Sequence, residues 1–247
     1  MGEKRAGRGA DALIRLHAIV EGTTEQRFVN RVLAPVLAGC DVFIDVHLIS
    51  TGRRHGQTFR GGFVSYSHLA ADLVRWMSQD SGEESWFTTM VDFYRLPMDF
   101  PGRANMPSHL PARERVGRLQ DAFAEDIARR LGERPVGRRF VPYIQLHEFE
   151  ALLFSDPSAF VAAHRDAQRA IAALAGIRSD VATPEDIDEG QNTAPSKRIL
   201  KEIEEYDKPT SGPLIAERIG IDRMKQECPH FRAWIGRLAA LPERAGA

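Results

Sequence analysis

Apolar runs that stop on an acid, alternating with segments of helical period, constrain this chain more than any other feature. Residues 13–20 alternate and then become continuously apolar, the pattern of a strand entering a buried sheet, and the run ends at Glu21. Glu21-Gly22-Thr23-Thr24 breaks it, and Thr23 with Gln26 matches a capping box ahead of a helix over about 25–37. A second strand is expected over 42–49 and a third over 86–92, ending at Asp92. Between them Leu69, Leu73, Trp76 and Met77 share a helical face. A helix over 112–131 precedes a fourth strand over 140–146, which runs into His147-Glu148-Phe149-Glu150. Repeated strand and helix units predict an α/β fold with a mostly parallel central sheet flanked by helices.

From residue 157 onward only helical patterns remain, over 157–174, 195–206 and 231–241. The expected organisation is a flexible N-terminus at 1–12, an α/β domain at 13–156, a C-terminal helical subdomain at 157–241 and a tail at 242–247. Apolar residues make up 43% of the 247 and charged residues 27%, which suffices for a sizeable core.

Thirty-three Lys and Arg against 34 Asp and Glu leave a net charge of -1, so any phosphate contact must come from local patches. Cys40 and Cys228 are far apart and form no zinc or disulfide spacing. No apolar run of about 18 residues exists to span a bilayer, and the first ten residues lack a signal-type pattern. A cytoplasmic protein without a membrane partner is the expectation. P-loop, GxSxG, GxGxxG and HExxH patterns are all missing, and His17 and His47 fall inside strands as packed or edge positions.

Ligands of parallel sheets bind beyond the carboxyl ends of the strands, where this sequence puts Glu21, Asp92 and the Glu148/Glu150 pair. Carboxylates gathered at one edge repel unless a cation neutralises them, and hard oxygen donors suit Mg²⁺ or Mn²⁺. Each acid has a plainer reading. Glu25 sits in a first helical turn, where the helix dipole favours a negative charge without any ligand. Glu148 and Glu150 are two apart, so a local break is needed to aim both inward.

Ser196, Lys197 and Arg198 open a helix, and such an N-terminus can receive a phosphate or pair with a neighbouring carboxylate. Arg53 and Arg54 lie in a Gly-rich basic loop that could follow a nucleic-acid backbone.

Val20-Glu21-Gly22-Thr23-Thr24-Glu25, Val91-Asp92-Phe93-Tyr94-Arg95-Leu96-Pro97 and the stretch from Gln145 to Phe154 together resemble a bacterial family, domain of unknown function 4276. Ala194-Pro195-Ser196-Lys197-Arg198 and Cys228-Pro229-His230-Phe231 with Trp234 extend the similarity, which runs from about residue 13 to 241. The resemblance implies a TOPRIM-like fold related to the nuclease domains of the overcoming-lysogenization-defect family, in which the first Glu and the later acids bind Mg²⁺. It also implies an ABC- or AAA-type ATPase partner and a setting in phage defence. TOPRIM domains usually carry Asp-x-Asp at the third strand, whereas this chain has Asp92-Phe93-Tyr94.

The leading expectation is metal-dependent cleavage of phosphodiesters in DNA or RNA. Glu21 and Asp92 would be principal ligands, Glu25, Glu148 and Glu150 supporting ligands or a base, and Lys197 the group that stabilises phosphate charge. Two alternatives stand beside it: a non-catalytic partner subunit of an ATPase, and phosphoryl or nucleotidyl transfer on a small nucleotide. Homo-oligomerisation is compatible with either.

Overall fold

The apolar run that ends at Glu21 is strand β1 (Ile14–Val20), and both of its neighbours in the sheet run parallel to it. The computed structural model describes residues 13–54, 57–60, 65–187 and 193–245, so the expected flexible stretch at 1–12 lies outside the described residues. After β1 come helix α1 (Thr23–Phe28), one π-helical turn at Val29–Leu33, and α2 (Ala34–Ala38), which return the chain to β2 (Val42–Leu48). The expected capping box does not form. Gly22 is the N-cap, no side chain caps it, and Thr23 is already helical.

The stretch expected to be a Gly-rich basic loop is instead part of an antiparallel pair, β3 (Ser50–Arg54) and β4 (Gln57–Arg60). Helix α3 (Tyr66–Gln79) leads to β5 (Ser85–Asp92), buried along its whole length, and α4 (Ala112–Leu131) follows. The expected fourth strand is broken into β6 (Phe140–Val141) and β7 (Ile144–Gln145), both paired parallel to β5.

The sheet order is β2-β1-β5-β6, with β7 continuing beside β5. Alternate residues of β1 enter two separate apolar clusters. Ile14, Leu16, Ala18 and Val20 pack with Phe28, Val29 and Leu33, whereas Ile19 packs with Leu69, Leu73, Leu119 and Phe123. Helices therefore cover both faces, as period-two alternation in a central strand requires. From β1 the chain goes one way to β2 and the other way to β5, so the strand order reverses between β1 and β5. A crevice opens at such a switch point, outside the carboxyl ends of the strands.

The remainder is helical: α5 (Gln168–Ser179), α6 (Pro195–Glu202), α7 (Lys208–Ile219), α8 (Ile221–Glu227), α9 (Pro229–Ala239) and α10 (Leu241–Ala245). α10 occupies part of the expected tail. Residues before α5 that read as one long helix form a short 3₁₀ turn, Pro157–Ala162, since Pro157 and the capping Asp156 start a tight turn that stops before His164.

These helices share a core with the sheet. Phe231, Trp234, Ile235 and Leu238 belong to the same apolar cluster as Leu16 and Val20. Trp234 donates its indole N–H to Thr88 Oγ1 at 2.9 Å and stacks on Tyr143 with ring centroids 4.0 Å apart. Glu185, almost fully buried, accepts hydrogen bonds from the backbone N–H groups of His230 and Phe231, both 2.8 Å, and so caps α9 from a distant segment. The Cys-Pro-His-Phe motif thus anchors α9 behind the sheet.

Candidate metal centre

β1 and β5 end side by side, with Val20 opposite Met90, so Glu21, just past β1, and Asp92, the last residue of β5, emerge at the switch point. Asp92 donates its backbone N–H to Glu21 Oε2 at 3.4 Å. Glu25, one turn into α1, is buried on the same side, and Glu21, Glu25, Asp92, Glu148 and Glu150 are each at most 5% exposed.

The break that Glu148 and Glu150 need is supplied by His147, whose φ of 61° puts it in the left-handed region. Glu148 is then extended and a 3₁₀ helix, Phe149–Ser155, begins immediately. Asp92 Oδ1 accepts the Phe149 N–H at 3.0 Å, which docks this turn on the end of β5. The two glutamates serve different neighbours. Glu148 faces the start of α6, accepting from the Ser196 backbone N–H and, at 3.0 Å, from the Ser196 hydroxyl, while the Tyr94 hydroxyl donates at 2.9 Å. Glu150 faces the acids.

Lys208, the first residue of α7, stands among them. Its Nζ lies 2.9 Å from Glu150 Oε2, 3.3 Å from Asp92 Oδ2 and 3.6 Å from Glu25 Oε1. A second cation, Arg95, reaches Glu21 Oε1 at 3.4 Å from the rim. With all groups ionised, five carboxylates and these two cations sum to -5 + 2 = -3. The excess shows in the proton affinities. Burial first, and repulsion from Glu25 next, raise the Glu21 carboxyl. Burial and the charges of Glu21 and Glu25 push Asp92 well up against the pull of Lys208. Glu150 is pushed up to about 7 by burial, with Lys208 opposing and Glu148 adding repulsion. Lys208 is held well above its ordinary value because attraction to Asp92, Glu150 and Glu25 outweighs burial.

The donor chemistry of this site fits a hard dication, although among the described residues no three of its carboxylates bring oxygens within 4.8 Å of one another, so they would have to close in on an ion in place of Lys208. All the unpaired charge is carboxylate oxygen, the donor type that Mg²⁺ and Mn²⁺ take. Glu150 Oε1 is buried, and besides Lys208 the carboxylate interacts with the Tyr206 hydroxyl and its own backbone N–H.

Of the other residues proposed from sequence, Lys197 is exposed and, among the described residues, pairs with none of the acids. Ser196 is turned to Glu148, and Arg198 donates to the Thr193 carbonyl at 2.7 Å. The α6 start is thus occupied by a carboxylate, the second of the two partners expected for it. Arg53 and Arg54 fall on β3, and their side chains lie outside the described residues. The sequence reading missed Lys208 and Arg95. For Lys208 the signal was present in Asp207-Lys208-Pro209-Thr210, where Asp207 accepts the Thr210 N–H at 3.1 Å and Pro209 sits in the first turn, a helix start that went unread.

Beside Tyr94 a cavity of about 370 Å³ is lined by Phe93, Met98, Arg103, Met106 and Arg115. A roomier hollow of about 730 Å³, between residues 164–170 and 202–205, contains none of the acids.

The family model described as Domain of unknown function (DUF4276) matches residues 20–239, nearly the whole of the described chain. The chain belongs to the DUF4276 family. The matched stretch of this DUF4276 chain contains all five acids, Lys208 and the α9 motif. Neither the curated proteins nor the solved structures contain a match. Among the described residues, no helix is long and apolar enough to cross a membrane.

Proposed function

We propose that this DUF4276 chain is a Mg²⁺- or Mn²⁺-dependent phosphodiesterase acting on DNA or RNA. The observation that carries the reading is the convergence of Glu25, Asp92 and Glu150, from three separate segments, on the single ammonium of Lys208, with Glu21 alongside. A TOPRIM-like relation and work beside an ABC- or AAA-type ATPase in phage defence are part of the same proposal, supported by the family resemblance.

Glu21, Glu25, Asp92 and Glu150 would hold the ion. When bound it supplies neutralisation of phosphate charge and a water activated for attack. The protein's own groups do the rest. Arg95 is half exposed at the rim, so its remaining N–H donors can take a phosphate oxygen while one stays on Glu21. Lys208 keeps 26% of its side chain open to solvent, which lets the ammonium turn from the acids to a phosphate when the acids are otherwise neutralised. Tyr94 and Ser196 fix Glu148 and act as positioning residues. Arg103 and Arg115, in the cavity beside Tyr94, put positive charge where a flanking phosphate would lie despite the near-neutral whole.

Labelled single- and double-stranded DNA and RNA, incubated with the purified protein and Mn²⁺, test this directly. Cleavage that is lost in EDTA and in Asp92→Asn, with circular dichroism unchanged, is the expected result. No cleavage of any of these, by a protein that binds Mn²⁺, removes the nuclease reading.

One observation favours a second reading. An ammonium already occupies the space between three of the acids, and on the TOPRIM resemblance Tyr94 takes the place of an acid, as fits a non-catalytic partner subunit of an ATPase. Failure to bind Mn²⁺, together with co-purification with such an ATPase, would decide for it.

A further inference from the structure

The sheet carries a second group of metal-type donors, away from the strand-end acids. His17 lies mid-way along β1, in register with Asp45 of β2, and His47 lies two residues further along β2. Parallel pairing and period-two alternation bring all three side chains to one face. His17 Nδ1 is 3.0 Å from His47 Nε2, His47 Nε2 is 3.3 Å from Asp45 Oδ2, and His17 Nδ1 is 3.8 Å from that same oxygen.

We infer that His17, Asp45 and His47 form a separate site for a transition-metal dication of the zinc class. Bonds of about 2.0–2.1 Å at tetrahedral angles separate two donor atoms by about 3.3–3.4 Å, and the three separations fall on both sides of that value. Octahedral Mg²⁺ asks for about 2.8–3.0 Å between adjacent donors, which the 3.8 Å edge does not meet. Two imidazoles and one carboxylate also suit zinc better than a hard ion.

Both rings are held in place before any ion arrives. His17 stacks on Phe87 with centroids 4.8 Å apart, and His47 stacks on Trp76 at 4.6 Å. The far nitrogen of His17, Nε2, lies 2.8 Å from Asp80 Oδ2. Arg15 and Ser85 clamp Asp80 at 2.6 Å each, so the carboxylate accepts the His17 Nε2–H and leaves Nδ1 as a lone pair facing the other two donors. A carboxylate behind a ligating histidine is the usual outer partner of such sites. Asp45, 63% exposed, opens the site to solvent, which gives the ion an entry path and a water for its fourth position. Without an ion, one proton shared between His17 Nδ1 and His47 Nε2 would account for the shortest contact. Asp45 Oδ2, 3.3 Å from His47 Nε2, would then be a second acceptor of that proton, and only binding of the ion itself separates the two states.

The test is a Zn²⁺ titration of the untagged, chelator-stripped chain against a chromophoric chelator, with excess Mg²⁺ present throughout to occupy the strand-end carboxylates. One equivalent should bind. Asp45→Asn, at an exposed position, should weaken it at least tenfold, and His47→Gln by at least about 100-fold, more than the about 10–100-fold that loss of an outer partner produces. Substitution of Co²⁺ should give the strong visible absorption of a tetrahedral ion, which His47→Gln abolishes. At a hundredfold excess over Kd the ion should raise Tm by about 5–10 °C, a readout independent of any catalytic activity. No bound equivalent in the natural chain, or binding unchanged in both variants, overturns the site.

Discussion

The Lys208 ammonium lies 2.9 Å from Glu150 Oε2, and this contact joins the first turn of α7 to a carboxylate that is fully buried at the end of the sheet. Remove the ammonium and the acids are left facing one another. Lys208→Gln in EDTA should cost stability toward the lower end of the about 3–5 kcal/mol seen when one partner of a buried pair is deleted, since 26% of the side chain is exposed. Millimolar Mg²⁺ should restore more stability to the variant than it adds to the natural protein, because the ion then has no ammonium to compete with. Urea midpoints in EDTA and in Mg²⁺ measure both effects. Equal midpoints for the two proteins in EDTA would mean that Lys208 does not balance these acids.

α7 can approach this closely because residue 212 is glycine. A Cβ there would stand 3.0 Å from the Phe149 ring and 3.2 Å from the Tyr206 hydroxyl. Gly212→Ala should therefore push α7 outward, because the Phe149 ring is fully buried and cannot give way. The about 1–3 kcal/mol cost of overpacking is offset in part by the about 1 kcal/mol that alanine gains over glycine inside a helix. Lys208, one turn earlier on the same helix, should move with it. Weaker Mn²⁺ dependence of any cleavage, alongside the lower urea midpoint, would tie the helix position to the site. A midpoint equal to that of the natural chain would show that α7 has room to spare.

Tyr94 donates to Glu148 but touches none of the acids around Lys208 through a described hydrogen bond. Tyr94→Phe leaves Glu148 with both Ser196 donors but also removes the acceptor of the Arg95 Nε–H at 3.3 Å, so the expected loss is two hydrogen bonds at about 0.5–1.5 kcal/mol each. Any cleavage should fall far less than in Asp92→Asn. A loss as complete as that of Asp92→Asn would move Tyr94 from positioning to chemistry.

Glu21 and Asp92 were legible because an apolar run that ends on an acid marks both the strand and its carboxyl end, and the parallel fold gathers such ends. α4 was legible to the residue because its apolar face repeats over five turns without a break. Lys208 was not, for a cation at a helix start reads as a solvated side chain until tertiary packing at Gly212 turns it inward. Lys197 shows the converse: the same residue type at the start of α6 faces water. His17 and His47 were correctly read as strand residues, but their meeting depends on the register of β1 against β2, which neither strand contains by itself. The β3–β4 pair went unread because glycines and arginines give no alternation to mark a strand.

His230 carries a pH dependence that can be isolated. Its Nε2 lies 2.9 Å from the Ile144 carbonyl and its ring stacks on Tyr143. Burial, and to a lesser degree Arg113, holds its pKa below the ordinary value, against the pull of the Ile144 hydrogen bond. The unfolded chain therefore binds more protons at this residue than the folded one as pH falls past about 6.5. Its contribution to stability is complete above that pH and is lost as pH descends through the folded value. Glu185, which accepts the His230 backbone N–H, has a raised pKa, chiefly from burial, and so acts in the opposite sense: its contribution is lost as pH rises through the folded value. A difference measurement separates the two. Urea midpoints of the natural protein and His230→Gln, taken from pH 7.5 down to 5, should converge as the natural chain loses its advantage below about pH 6.5. A constant gap across that range would mean that His230 takes up its proton as readily folded as unfolded.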